Sequence, residues 1–114
     1  MIFNILFDNI YVLNLKNSHD RKNHIKNEFS RVGINKYEFF EATPNDSDEV
    51  KNLMGSGFVK KFPNCFRCNQ KRCDCENNFL TEFQIGNWCS FINIFNDIIK
   101  KDYKFVLICE DDIV

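Results

Sequence analysis

The chain has 114 residues, of which 44% are hydrophobic and 27% charged, with fifteen Lys and Arg set against sixteen Asp and Glu. Such a length buries one modest core, so a single domain or part of one is expected, and the composition excludes a disordered polymer. A net charge of −1 gives no electrostatic basis for nucleic-acid binding. No stretch nears the roughly 20 apolar residues of a transmembrane segment.

The opening Met1 to Phe7 is apolar but interrupted by Asn4, and no basic residue precedes it. A secretory signal is therefore not expected. The six cysteines then read as thiols or metal ligands rather than disulfides, and the cytoplasm is the expected compartment. Thirteen Phe accompany abundant Asn, Lys and Ile, a mixture consistent with AT-rich coding, so they carry no argument for aromatic binding.

Ile10 to Leu15 is a short apolar run between polar turns and reads as a buried strand. A helix is predicted from His19 to Val32, with Ser18 as N-cap, Ile25, Phe29 and Val32 at helical spacing, and Gly33 as the stop. Tyr37 to Glu41 reads as a second strand. Strand, helix, strand with short connections is a βαβ unit and implies a parallel sheet.

Residues 42–79 form a loop region rich in Pro, Asn, Asp, Ser and Gly, with one short helix around Glu49 to Met54, a Gly55-Ser56-Gly57 hinge and a cysteine-dense knot over 65–75. A long helix is predicted from Leu80 to Lys100. Trp88, Phe91, Ile92, Phe95 and Ile99 mark its apolar face, with Trp88 in the core. Lys104 to Cys109 reads as a central strand that ends in Glu110-Asp111-Asp112. The chain stops directly after this segment, which suggests a fragment or a truncated reading frame.

Three carboxylates at the C-terminal end of a buried strand repel one another unless something offsets their charge. In an open α/β sheet that edge is also where ligands bind. Residues two apart in an extended segment share a face, which aligns Glu110 with Asp112. Hard divalent cations take oxygen ligands, so these two carboxylates fit manganese or magnesium. A solvated acidic turn is the plain alternative.

Cys65, Cys68, Cys73 and Cys75 form C-x2-C-x4-C-x-C. Four thiolates suit a closed structural zinc site, with free thiols and disulfides as the other readings. Cys89 and Cys109 fall within the helix and strand patterns and read as buried small hydrophobes. His19 and His24 stand five apart, a poor spacing for a shared metal face, and read as surface residues.

Four blocks of the chain resemble glycosyltransferase family 25, which includes lipopolysaccharide- and collagen-modifying sugar transferases. They are Ile10 to Leu15 followed by Ser18-His19-Asp20-Arg21, Val32-Gly33-Ile34 with a strand into Glu41-Ala42, Gln84 to Phe91, and Val106 to Ile113. Their order and spacing span nearly the whole chain. The third block departs from the family pattern at Gln84, where Glu is usual, at Phe91, where His is usual, and at Asn87, where Cys is usual.

The resemblance implies a GT-A-like (Rossmann-like) α/β fold, here an incomplete, mostly parallel sheet with flanking helices and a Cys-rich loop insertion, with residues 1–114 the N-terminal part of one glycosyltransferase domain. It implies transfer of a sugar from a nucleotide-sugar donor, UDP-linked, to a hydroxyl on a glycan, lipid-linked glycan or protein. Asn14, Leu15, Arg21 and Asp111 would lie on the donor side, Arg21 touching a phosphate or bracing the loop by pairing with Asp20 or Glu28. Glu110 and Asp112 would hold the metal, and any catalytic base would lie beyond Val114. The competing readings are a small zinc-binding interaction module and an inactive remnant of the transferase fold.

Overall fold

The computed structural model describes residues 2–59 and 80–113. The chain divides into two compact units, Met1–Thr43 with Ser90–Val114, and Pro44–Cys89.

In the first unit a short helix, α1 (Phe3–Leu6), precedes strand β1 (Asn9–Asn14), helix α2 (His19–Arg31) and strand β2 (Glu38–Glu41). The later part of helix α4 (Glu82–Lys101) and strand β3 (Val106–Glu110) complete it. The three strands form one sheet in the order β2-β1-β3, and β1 is parallel to both neighbours. This is an open, GT-A-like α/β sheet flanked by helices, as the sequence implies.

Every residue of β1 is buried, because it is the central strand with a helix on each face. Ile10 and Val12 pack with Ile25 and Phe29 of α2 on one side. Tyr11 and Leu13 pack with Ile94 of α4 on the other. A strand covered on both faces reads as an unbroken apolar run rather than an alternation, which is why β1 is legible as IYVL.

Helix α2 ends where Gly33 takes a left-handed φ of 78°. The Gly33 N–H donates to the Ser30 carbonyl (3.2 Å) and the Ile34 N–H to that of Phe29 (2.8 Å). That pair of bonds is a Schellman stop, completed by apolar contact between Phe29 and Ile34 in the core. The start of α2 differs from expectation. Ser18 stands at the cap position, but its side chain makes no capping bond; its carbonyl instead accepts from the Lys22 N–H and the Asn14 side chain.

Helix α4 corrects a second expectation. Its buried residues are Ile85, Gly86, Cys89, Ser90 and Ile94, and of the predicted face Phe91 packs against the core, whereas Trp88, Phe95 and Ile99 are 55%, 45% and 75% exposed. Apolar residues occur around most of this helix, so periodicity alone did not identify the side that packs.

At the amino ends of the strands, the Tyr11 hydroxyl donates to Asp97 (2.7 Å) and Lys101 pairs with the same carboxylate (3.0 Å). Asn9 donates to Glu38 (2.9 Å). These bonds satisfy polar groups that burial would otherwise penalise.

The second unit contains helix α3 (Asp48–Gly55), within the loop region where a short helix was expected. Ser47 caps it by accepting the Val50 N–H. Its core joins Val50 to Ile85 and Cys89. The early part of α4 starts on a reciprocal capping box: the Thr81 N–H donates to Gln84 Oε1 (2.8 Å), and the Gln84 N–H to Thr81 Oγ1 (3.2 Å). Among the described residues no helix is long and apolar enough to cross a membrane.

Candidate donor-binding edge

The strand order puts β1 at a reversal. From β1 the chain passes to β2 on one side and later returns to β3 on the other. Crevices outside the carboxyl ends of strands at such a switch point are where open α/β sheets bind ligands. The residues found there are Asn14 at the end of β1, Glu110-Asp111-Asp112 at the end of β3, and the first turns of α2.

Asp111 is the buried member of the acidic trio, 8% exposed, and Asn14 is 6% exposed. Asn14 Nδ2 donates to Asp111 Oδ2 at 2.9 Å and also reaches the Ser18 carbonyl at 3.2 Å. Arg21 Nη1 lies 3.2 Å from Asp111 Oδ1. One side-chain amide thus ties the ends of β1 and β3 to the start of α2, and Arg21 offsets the charge of the buried carboxylate. The Arg21 side chain remains 61% exposed. It pairs with neither Asp20 nor Glu28; the latter is held by Arg31 at 2.7 Å.

Glu110 and Asp112 are both exposed. β3 ends at Glu110, and residues 111 and 112 lie in a turn, so strand alternation does not extend to Asp112. The trio therefore divides into one internal carboxylate and two that face solvent. Among the described residues no three His, Cys, Asp or Glu side chains converge into a ready-made metal cluster. Glu110 and Asp112 are the exposed carboxylates of this edge, and carboxylate oxygen is the ligand type that hard divalent cations take.

The Leu15 side chain is 44% exposed, and its carbonyl accepts the Ser18 N–H in the turn that leads into α2. A cleft of about 360 Å³ at this point is lined by Asn17, Ser18, His19, Asp20 and Arg21. A second cleft of about 420 Å³, lined in part by Lys26, Ser30 and Tyr37, lies toward the other end of α2 and holds none of the acidic residues. The smaller cleft is the one adjoining the switch point.

Two further residues support this edge in ways that sequence reasoning did not assign, although His24 is exposed as expected of a surface residue. The Ser90 hydroxyl, 1% exposed, accepts the Thr43 N–H at 2.8 Å and so fixes the chain just past β2. His24, read from sequence as a surface residue, donates from Nε2 to the Ile113 carbonyl at 3.2 Å. The signal for Ser90 was its position inside the third family-like block; for His24 there was none. Cys65, Cys68, Cys73 and Cys75 lie outside the described residues.

The sequence profile of the family described as "Glycosyltransferase family 25 (LPS biosynthesis protein)" matches residues 7–114. The chain belongs to glycosyltransferase family 25. A Drosophila melanogaster protein named "Glycosyltransferase 25 family member" is 29% identical over 108 residues, which is 93% of this chain and 16% of that protein. The chain thus spans about one-sixth of the length of that relative.

Within the family-25 pattern, two of the three unusual residues of the third block have identifiable duties. Gln84 closes the capping box of α4. Phe91 packs beside Ile94 and Tyr11 in the core, its ring 6.3 Å from that of Phe95. An imidazole at position 91 would face this apolar cluster, so Phe there suits the packing.

Proposed function

We propose that the chain supplies the donor-binding part of a metal-dependent glycosyltransferase domain, which moves a sugar from a UDP-linked nucleotide sugar to a hydroxyl acceptor. The observation that carries this reading is the division of the acidic trio at the switch point. Asp111 is buried and fully engaged with Asn14 and Arg21, while Glu110 and Asp112 project into solvent.

Glu110 and Asp112 are the residues that would hold manganese or magnesium; that ion would supply positive charge against the diphosphate leaving group. Arg21 contributes a second positive charge on the same side. With one guanidinium nitrogen on Asp111, its exposed remainder is available to a phosphate oxygen in the cleft at the start of α2, where the helix dipole also favours anions. Asn14 keeps the ends of β1 and β3 at fixed spacing, so the carboxylates and the guanidinium are set before the donor arrives. The acceptor on this reading is a glycan, lipid-linked glycan or protein hydroxyl, and the four-cysteine segment holds a structural zinc.

The test is manganese-dependent release of nucleoside diphosphate from a panel of sugar nucleotides by the intact gene product, with Asp112→Asn alongside. Turnover that requires both manganese and Asp112 supports the reading and names the donor. Absence of turnover with every donor, or equal rates for Asp112→Asn and wild type, removes the acidic segment from the reaction.

A further inference from the structure

Asp112 lies between two residues that are each fastened to other elements. On one side Asp111 is held by Asn14 at 2.9 Å and Arg21 at 3.2 Å. On the other the Ile113 carbonyl accepts the His24 Nε2–H at 3.2 Å. Arg21 and His24 are three residues apart on α2, so they stand one above the other on the same side of the helix. Both reach the acidic turn, one through a side chain and one through the backbone.

We propose that His24 is a positioning residue for the acidic turn, acting with Arg21 to present the Asp112 carboxylate to a divalent cation. The inference rests on the metal role given to Glu110 and Asp112 above. With Asp111 and Ile113 both tied down, the backbone of Asp112 has little freedom while its carboxylate stays in solvent. A ligand held in its binding geometry loses less conformational entropy when the ion arrives. Without His24 the turn is secured on the Asp111 side only, and Asp112 samples orientations that do not serve the ion. His24 touches neither donor nor metal on this account; it works through the main chain.

A glutamine side chain can place an amide N–H close to where the imidazole Nε2–H lies, so His24→Gln should keep the bond that His24→Ala loses. The experiment titrates Mn²⁺ at fixed UDP and follows metal-dependent UDP binding for the wild-type chain, both His24 variants and Asp112→Asn. Thermal unfolding of each is recorded alongside. His24→Ala should raise the half-saturating Mn²⁺ concentration roughly two- to tenfold, the scale of one net hydrogen bond. His24→Gln should restore it to near the wild-type value, and UDP binding without metal should be unchanged in both.

Equal Mn²⁺ dependence in His24→Ala and wild type overturns the positioning role and leaves the metal reading intact. So does a weakening that tracks lost thermal stability and is not rescued by Gln. Wild-type chain that binds UDP no better with Mn²⁺ than without it overturns the metal reading, and this inference with it.

Discussion

Asn14 donates a hydrogen bond to Asp111 across 97 residues of sequence, at 2.9 Å and with both side chains nearly excluded from solvent. The bond joins the carboxyl ends of two neighbouring parallel strands at the point where the strand order reverses. It accounts for an asparagine at the end of an otherwise apolar strand: a residue of valine or leucine shape would leave the Asp111 carboxylate buried with one partner fewer.

Replacing Asn14 with Ala should therefore lower stability by about 1–3 kcal/mol, the cost of leaving a buried polar group unsatisfied. Arg21→Ala should cost less, about 0–1 kcal/mol, because its side chain is largely exposed and its pairing is screened. Urea denaturation at low and high salt separates the two. The Asn14→Ala loss should persist in salt, whereas the Arg21→Ala loss should shrink.

Helix α4 gives a second contrast within one element. Ile94 is fully buried between the helix and the sheet, and Ile99 is 75% exposed. Ile94→Ala should cost about 2–5 kcal/mol, while Ile99→Ala should stay within about 0.5 kcal/mol of wild type. If the Ile99 substitution proved the costlier of the two, the assignment of the buried face would be wrong.

That helix also shows where the sequence was and was not readable. The strands and α2 were legible because each is bounded by turn chemistry and one residue class dominates its buried positions: Ile10 to Leu13 in β1, Ile25 and Phe29 in α2, and Gly33 at the stop. In α4, Trp88, Phe95 and Ile99 compete with Ile85, Cys89, Phe91, Ile94 and Ile98. Which set packs depends on where the sheet lies, and that is tertiary information. The acidic trio is legible as a unit, and the pairing of Glu110 with Asp112 apart from Asp111 matches their exposure, although the alternation rule that suggests it does not strictly apply there. That rule presumes an extended chain, and the strand ends at Glu110. The contact of His24 with a backbone carbonyl 89 residues away leaves no trace in local pattern.

Gly33 allows a backbone test. Its φ of 78° closes α2 and leads directly to Ile34 in the core. A side chain there would have to adopt the left-handed region, at a cost of about 1–2 kcal/mol. Gly33→Ala should lower the thermal midpoint accordingly, and Gly33→Asn should lower it less, since Asn tolerates that conformation better.

The Tyr11–Asp97 bond makes a pH-dependent prediction. The Tyr11 hydroxyl, followed by Lys101, holds the Asp97 carboxyl below its ordinary value of 3.8. Asp8 is likewise lowered by the backbone N–H groups of Phe105 and Lys104, and Glu28 by Arg31. A carboxyl with a depressed folded-state pKa stabilises the fold fully above its unfolded value, and that contribution is lost as pH falls through the folded value. Stability should therefore be flat near neutrality and decline below about pH 4. Burial and the Asp97 carboxylate push the Tyr11 hydroxyl well above the usual tyrosine range, so it remains a donor throughout this window. Tyr11→Phe should cost about 1.5–3 kcal/mol at pH 7, as expected for a hydrogen bond to a charged group. It should also flatten the acid limb, because Asp97 then titrates closer to its unfolded value. Urea midpoints for both proteins between pH 2 and 7 test both parts. Parallel acid limbs would mean that Tyr11 does not set the ionisation of Asp97.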